Sequence, residues 1–448
     1  MKKNIKEFIS KSKKDIDLLL LGLLVLSLPF ERIPSIDVFG VTARASLVIG
    51  FLVIIRALYL LIKRKANITK SIPNYILLAF VVWIILIIPE SINIKRAVQV
   101  VGYDLFVVML AVGISIIYKK EYLKYLLSVL FAVAIFASAF AFYQFFGDII
   151  GIPITYTGLA DRYSSGLFGF PRVQGFSLEP LYFGSFMLLP TMLLFLFNLL
   201  NQYEIISKKG ARLLLFLFST TIFITVARGA IYGLIAGITA ISIVVLIKKL
   251  ASLSKLGFSI AIVIFAFIVS LLIVNFGSKI PLDVSKTFGK RGGSAFTQQL
   301  LTTGLEGSGD ERAVARRQAI NLLQNNKSAY IIGVGPGQFG PYVQNNTQAN
   351  YGWTIVNNLT LELLLETGII GLLLILAFFG SVLIRTYVIV DKNKIDLQMA
   401  TLVAISGYIV TQAVQYQGFS TLYVVHIWVA VGILLGIILA TGKTKIGS

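Results

Sequence analysis

Residues 213–247 read LLLFLFSTTIFITVARGAIYGLIAGITAISIVVLI, and this stretch decides the fold. It contains two apolar runs, each close to the length of about 20 residues that a helix needs to cross a lipid bilayer. The runs meet at residues 225–229, TVARG, with almost no loop between them. The sequence therefore predicts two membrane helices joined by a tight hairpin, with Arg228 at the membrane edge. Arginine costs roughly 2.5–3.5 kcal/mol at the centre of a membrane helix, so such a residue usually faces a cavity and has a function.

The rest of the chain repeats this apolar pattern. Of its 448 residues, 57% are hydrophobic and only 13% are charged. Soluble domains do not carry repeated apolar runs of about 20 residues, so the sequence predicts an all-α integral membrane protein. We expect twelve transmembrane helices, at residues 16–30, 45–62, 75–89, 98–118, 125–146, 181–200, 211–227, 229–247, 257–276, 358–384, 400–415 and 422–440.

The positions of the basic residues predict the orientation of these helices. The chain has 40 Lys and Arg against 20 Asp and Glu, a net charge of +20. The excess lies before the first span and after the second, fourth, sixth, eighth, tenth and last spans. Cytoplasmic loops carry such an excess, so both termini are predicted to be cytoplasmic. The charge reflects topology and attraction to the lipid bilayer, and it does not indicate a nucleic-acid partner.

The predicted spans divide the chain into four segments. Residues 1–146 hold helices one to five, 147–276 hold an outer loop and helices six to nine, 277–357 form a large extracytoplasmic loop, and 358–448 hold helices ten to twelve. Long loops are commonly functional. Within the large loop, residues 310–324 predict a short amphipathic helix with an apolar face formed by Val314, Ala315, Ala319, Ile320, Leu322 and Leu323.

Basic residues on the predicted outer side are mostly arginine, whereas lysine dominates the cytoplasmic loops. A charge that served topology alone would not depend on which cation carried it, but a phosphate site would favour the planar fork of a guanidinium. The outward residues include Arg162, Arg172, Arg228, Arg312, Arg316, Arg317 and Lys327.

Two outward motifs carry glycine turns. In RVQGFSLEP, residues 172–180, Arg172 and Glu179 flank a turn at the start of a span. The pair is either part of a functional site or a surface ion pair of little energetic weight. Residues 332–339, IGVGPGQF, resemble a phosphate-binding loop, but a tight turn that returns the chain to the membrane is the favoured interpretation.

The start of span ten carries two carboxylates on one helix face. Asn357 is a plausible N-cap, and Glu362 and Glu366 lie four residues apart. Either could be a general base or could only compensate the helix dipole; this stays open for Glu362, and the dipole is favoured for Glu366. His426 is the sole histidine and is expected to be a packed residue. The predicted outer face has no Asp-x-Asp pair, so neither a metal nor another cofactor is expected.

These features occur in an order that resembles the O-antigen ligase/polymerase superfamily of integral-membrane glycosyltransferases, from about residue 162 to the C-terminus. The resemblance rests on four motifs, at residues 172–180, 227–230, 308–339 and 357–371. It implies a GT-C-like fold. Ligases of the family place a catalytic histidine before asparagine ahead of span ten, whereas this chain has Asn357 before Asn358. An amide cannot act as a base at neutral pH, so the sequence favours a polymerase over a ligase.

The resemblance implies a substrate and roles for the residues. The donor would be a glycan on undecaprenyl pyrophosphate, at the outer face of a bacterial cytoplasmic membrane, and the acceptor a second lipid-linked glycan. A chain-length regulator would be a further partner. Catalysis is assigned to Arg228, Arg172, Glu179 and Glu362, and substrate binding to Arg162, Gln174, Arg312, Arg316, Asn357 and Asn358. A ligase with a lipid or protein acceptor is the first alternative. A flippase is the second, disfavoured because the charges gather at one surface and no internal repeat relates the two halves.

Overall fold

The protein is built almost entirely of α-helices. The structure is a computed structural model that describes residues 1–32, 35–38, 41–66, 71–279, 308–344 and 355–442. Its helices are α1 Lys2–Ser12, α2 Ile16–Ser27, α3 Ala45–Ile62, α4 Ile72–Leu86, α5 Ile94–Ile117, α6 Leu123–Ile149, α7 Ile154–Thr157, α8 Ser165–Phe168, α9 Pro180–Leu200, α10 Lys208–Ile224, α11 Arg228–Ile247, α12 Leu253–Lys279, α13 Ser308–Asn325, α14 Phe339–Val343, α15 Leu359–Ile389, α16 Leu397–Gln415 and α17 Val425–Gly442. One antiparallel hairpin joins β1 (Ser35–Val38) to β2 (Val41–Arg44).

Every predicted span coincides with a helix. Nine helices in the described part of the chain are long and apolar enough to cross a membrane. The helices at the other three predicted spans, α2, α10 and α17, have 12, 17 and 18 residues. The prediction of an all-α, multi-pass membrane protein is thus confirmed, while the count of twelve spans stays a prediction.

The hairpin at the centre of the quoted stretch is as tight as predicted. Only Thr225, Val226 and Ala227 separate α10 from α11. The Thr225 hydroxyl donates to the Ile222 carbonyl at 2.6 Å and accepts from the Ala227 N–H at 3.1 Å. Val226 has a φ of +49°, which is rare for a β-branched residue. This turn makes Arg228 the first residue of α11.

Two compact units make up the structure, and each combines separate parts of the sequence. The first unit contains Met1–Val53, Tyr118–Thr303 and Val390–Thr411. The second contains Ile54–Ile117, Gly304–Ile389 and Gln412–Ser448. The four segments predicted from the sequence follow chain order, so each unit draws on several of them.

The first unit packs around α9. In an 18-residue apolar stretch of this helix, 94% of the residues are buried. The helix contacts α6, α10, α11 and α12. Gly184 lets α9 and α11 approach closely, because a Cβ at this position would lie 2.6 Å from the Cβ of Ala230. The turn before α11 is therefore fixed against the central helix of the unit.

The second unit contains the helix predicted within the long loop. Helices α4 and α5 pack against α15 and α17, and α13 also packs on α15. Three apolar residues of α13, Ala315, Ala319 and Leu323, are buried in one cluster with Val334, Phe339, Val356 and Leu365. Val314 and Ile320 were expected on the same face but are 50% and 43% exposed. Residues 280–307 and 345–354 of the predicted loop lie outside the described residues.

The predicted topology can be tested with introduced cysteines, because the chain has none of its own. Tyr156 is 74% exposed in the segment predicted to face outward, and Ser252 is exposed in a loop predicted to be cytoplasmic. A membrane-impermeant thiol reagent is expected to label Tyr156→Cys in intact cells and Ser252→Cys only after permeabilisation. The reverse pattern would show that the orientation is wrong.

Candidate functional site

The sequence-predicted site residues divide between the two units. The first unit holds Arg162, Arg172, Gln174, Glu179 and Arg228. The second holds Arg312, Arg316, Asn357, Asn358 and Glu362. Each group is described within its own unit.

In the first unit, the turn between Arg172 and Glu179 is held by a buried glutamine of α6. The Gln144 side-chain oxygen accepts from the Gly175 N–H at 2.8 Å, and its nitrogen donates to the Gly175 carbonyl at 3.2 Å. Gly175 has a φ of +55°, and a Cβ there would lie 2.8 Å from the Phe183 ring. Phe176 stacks on Phe140 with ring centroids 4.0 Å apart. These contacts fix the loop that carries Arg172.

Arg172 reaches the turn that begins α11. Its backbone N–H donates to the Tyr163 carbonyl at 2.9 Å, and its guanidinium lies 5.8 Å from the centre of the Tyr163 ring. The same guanidinium donates to the Val226 carbonyl at 3.5 Å, a long hydrogen bond. Val226 is two residues before the half-buried Arg228. The structure thus brings the Arg172 side chain to the turn that presents Arg228.

Glu179 pairs with a different arginine from the one the sequence suggested. Its carboxylate lies 3.6 Å from the Arg162 guanidinium, and the two side chains are 38% and 64% exposed. Such an exposed pair contributes little to stability. Arg162 also lies over the Tyr163 ring, 4.9 Å from its centre. Pro180 occupies the first turn of α9.

Gln174 is fully buried beside this loop. Neither atom of its side-chain amide has a hydrogen-bond partner among the described residues. A buried polar group without a partner costs about 1–3 kcal/mol, and natural proteins keep few of them. Gln174 therefore has two hydrogen-bonding atoms that no described residue satisfies. Its substrate-binding role stays a prediction.

Glu31 is a neighbour that the sequence reasoning missed. It follows α2, and its carboxylate accepts from the Leu178 N–H at 3.5 Å. Part of the Glu31 residue is accessible to solvent. The atoms packed around its carboxyl nevertheless desolvate it, and this raises the pKa of the carboxyl from 4.5 to about 7. Arg44 opposes this increase and Glu179 adds to it. In the sequence, Glu31 is only a carboxylate between two apolar segments. That pattern does not show that it lies beside Leu178, 147 positions later in the chain.

We expect the stability of the wild type to fall more steeply than that of Glu31→Gln as the pH rises. The folded state keeps the proton on Glu31 up to about pH 7, whereas the unfolded chain releases it near the ordinary value of 4.5. The stabilisation from this proton is therefore complete below pH 4.5 and is lost as the pH rises through about 7. Unfolding midpoints of the wild type and Glu31→Gln should diverge across this range. The exposed Glu204→Gln serves as the control, and parallel curves for Glu31→Gln and wild type would contradict the shift.

In the second unit, the cap of α15 is Asn358, so the prediction that Asn357 is the N-cap was wrong. The Asn358 side-chain oxygen accepts from the Leu361 N–H at 3.0 Å. Its side-chain nitrogen donates to the Gln417 side chain at 3.1 Å. Asn357 instead has a φ of +57°, a left-handed conformation that asparagine tolerates better than most residues. Because the chain turns at Asn357, the helix is capped by Asn358, one residue later than predicted.

Arg316 of α13 holds this turn. Its guanidinium donates to the Gln417 carbonyl at 2.7 Å and to the Asn357 carbonyl at 3.5 Å. These contacts give Arg316 a structural role beside any contact with substrate. Arg312, one turn earlier on α13, is half-buried.

Glu366 anchors residues 332–339, which form the glycine loop. Its two carboxylate oxygens accept from the Gly337 N–H at 2.7 Å and the Phe339 N–H at 3.0 Å. Its carbonyl accepts from the Gly335 N–H at 3.0 Å. Three N–H groups that a phosphate would need are thus bonded to α15, which agrees with the interpretation of this loop as a tight turn. Glu362, one helical turn earlier, accepts from the Val356 N–H at 2.8 Å.

The single histidine does not join these residues. His426 is 2% exposed, within α17, as expected for a packed side chain. Among the described residues, no three or more Asp, Glu or His side chains are grouped as they would be to hold a metal ion. Metal independence stays a prediction.

The helices and the arginine-bearing turns define a polytopic membrane protein with polar sites at the ends of its helices. Residues 213–376 match the protein family described as O-Antigen ligase. This match confirms the resemblance to the O-antigen ligase/polymerase superfamily, and it supports a glycosyltransferase-like enzyme that acts on lipid-linked glycans. The match includes Arg228, Asn357 and Glu366, and it begins after the loop that carries Arg172. No curated protein shows significant similarity to the chain.

Proposed function

We propose that this protein is a polysaccharide polymerase of the O-antigen or exopolysaccharide type. It transfers a glycan from undecaprenyl pyrophosphate to a hydroxyl of a second lipid-linked glycan, at the outer face of the bacterial cytoplasmic membrane. The observation that carries the proposal is the contact between the Arg172 guanidinium and the carbonyl of Val226, in the turn before Arg228. Arg172 and Arg228 were both assigned to catalysis from the sequence, and the two residues lie at one turn within one unit.

The reaction places negative charge on the leaving group. The acceptor hydroxyl oxygen forms a bond to the anomeric carbon, the bond from that carbon to the pyrophosphate oxygen breaks, and the lipid pyrophosphate leaves with the bonding electrons. Guanidinium groups fixed before the reaction stabilise this charge without reorganisation. Arg228 also begins α11, where the positive end of the helix dipole favours an anion.

The proton of the acceptor hydroxyl needs a base. Glu179 and Glu362 remain the two candidates. Glu179 lies 3.6 Å from the Arg162 guanidinium, and Glu362 accepts a backbone N–H. Arg162, Gln174 and Arg312 are assigned to the glycan and its phosphates.

A polymerase is favoured over a ligase because of Asn357. This residue stands where ligases of the superfamily have a histidine, and its side-chain nitrogen donates to the Ile355 carbonyl at 3.4 Å. The amide is neutral and does not remove a proton at neutral pH. A ligase is nevertheless the second candidate, since the matched family is described as O-Antigen ligase.

The test uses the purified protein in liposomes with the organism's own lipid-linked repeat unit as the substrate. A polymerase is expected to produce longer glycans that remain on the lipid, and to do so in excess chelator. Transfer of the glycan to an added lipid or protein acceptor, with no lengthening, would identify a ligase. Activity that disappears with chelator and returns with one divalent cation would overturn metal independence.

A further inference from the structure

A cleft in the second unit contains charged side chains that the proposed reaction only partly uses. Three separate stretches of the chain contribute polar groups to it: α5, the start of α15, and the segment between α16 and α17. The polar residues that line it include Arg96, Asp104, Glu362, Glu366, Ser420 and Tyr423. Only Glu362 among them was assigned a role in the reaction from the sequence.

Asp104 is the unusual member of this cleft. It lies ten residues into α5, about 15 Å along the helix axis from its start. Its side chain is 7% exposed, and its Oδ1 atom has no hydrogen-bond partner among the described residues. A buried acceptor without a partner is costly, and ionisable residues inside membrane helices commonly mark binding sites or transport pathways. Asp104 therefore offers an acceptor atom to a molecule in the cleft.

The neighbouring carboxylates have protein partners. Both oxygens of Glu366 accept backbone N–H groups, and Glu362 accepts one from Val356. Arg96 lies close enough to interact electrostatically with both glutamates, while its Nε–H has no partner in the described part of the chain. The cleft thus presents one unused acceptor on Asp104 and one unused donor on Arg96.

An aromatic surface adjoins these groups. Tyr423 lines the cleft and stacks on Tyr103, with ring centroids 4.9 Å apart and an angle of 24° between the rings. The stack holds the Tyr423 ring in a fixed orientation. An aromatic wall beside hydrogen-bonding groups can contact both the apolar C–H surface and the hydroxyls of a ring-shaped ligand.

The chemistry of the cleft distinguishes among ligand classes. A phosphate would meet three carboxyl groups against one guanidinium, and like charges at short range repel. The three carboxyl groups are not arranged to hold a metal ion, since no such arrangement of three or more Asp, Glu or His side chains occurs among the described residues. A sugar hydroxyl both donates and accepts, so it can donate to Asp104 while a neighbouring hydroxyl accepts from Arg96.

We infer that this cleft binds a sugar of the acceptor glycan. The inference rests on the proposed function, since Glu362 in the same cleft is a candidate for the base that takes the acceptor proton. Asp104 and Arg96 would orient the sugar that carries the attacking hydroxyl, and neither would take part in bond making. Both are therefore positioning residues.

The test measures binding separately from catalysis. Wild-type protein and variants in liposomes are titrated with the extracted lipid-linked repeat unit and, in parallel, with undecaprenyl pyrophosphate that carries no sugar. Asp104→Leu is expected to weaken binding of the repeat unit about tenfold, equivalent to the loss of roughly 1.4 kcal/mol, and to leave binding of the sugar-free lipid unchanged. Asp104→Asn retains the shape and one acceptor oxygen, so a smaller loss is expected. Lys95→Gln, an exposed position on the same helix, is the matched control.

The outcomes separate this inference from the polymerase proposal. If Asp104→Leu and Asp104→Asn bind both compounds as the wild type does, the cleft does not hold a sugar. If they lose both compounds equally, the cleft holds the lipid or supports the fold, and the inference is again wrong. Selective loss of sugar binding supports it, even if the wild type makes no polymer, in which case the polymerase proposal alone fails. Arg96→Gln provides a second variant if Asp104→Leu does not fold.

Discussion

Replacing Arg228 with alanine is expected to abolish detectable polymer formation while the protein still inserts into the membrane. Removing one donor that stabilises transition-state charge commonly lowers kcat by about 10²–10³. Arg228 is the first residue of α11, and the turn before it contacts the Arg172 side chain. Loss of this guanidinium would leave the departing pyrophosphate with fewer charged partners. The measurement is the rate of glycan lengthening from the lipid-linked repeat unit, with protein amount matched by immunoblot.

Arg228→Lys and a remote arginine provide the controls. Lysine keeps the charge without the planar fork, so it should restore only part of the rate. Arg317→Ala removes an exposed arginine of α13 and should leave the rate near that of the wild type. An Arg228→Ala variant that polymerises at the wild-type rate would remove Arg228 from the mechanism.

The membrane helices were predictable because they depend on local composition. Each needs a run of apolar residues, and this information lies within one window of sequence. The hairpin at residues 225–229 was predictable for the same reason. The amphipathic helix α13 was also predicted, yet Val314 and Ile320 are exposed, because the orientation of a helix depends on which neighbours cover it.

Contacts between distant parts of the chain were not predictable from the same patterns. The Gln338 side chain accepts the backbone N–H of Asn93 at 2.8 Å across 245 positions. The sequence of α5 does not show that Asp104 and Arg96 lie beside α15 and the segment before α17. Motif reasoning finds residues that recur in a family pattern, whereas a cleft forms from residues that share only a position in space.

The assignments around Asn357 show where local rules fail by one residue. The sequence offered two adjacent asparagines, and either can cap a helix. The turn geometry decides between them, since Asn357 takes the left-handed conformation and Asn358 accepts the Leu361 N–H. The sequence alone does not show which of the two asparagines takes the left-handed conformation.

Glu366→Ala is expected to have the largest effect on stability. The buried carboxylate accepts two backbone N–H groups from the glycine loop, at 2.7 and 3.0 Å. Removing an acceptor so that a buried donor loses its partner costs about 1–3 kcal/mol for each bond, so the two bonds together amount to roughly 2–6 kcal/mol. A loss of this size is comparable to the whole stability of many proteins. The midpoint of thermal unfolding in detergent should therefore fall sharply, and the exposed Glu204→Ala should leave it unchanged.

The geometry of the glycine loop explains why it would not easily adapt to this loss. Gly333 has a φ of +90°, and a Cβ there would lie 2.3 Å from the Glu366 carbonyl oxygen, so backbone meets backbone at the kink of α15. Glu366→Gln keeps one acceptor oxygen but turns an NH₂ group towards a backbone N–H, so it should destabilise nearly as much as alanine. If Glu366→Gln and Glu366→Ala unfold at the wild-type temperature but make no polymer, the carboxylate acts in the reaction and its role in holding the loop is secondary.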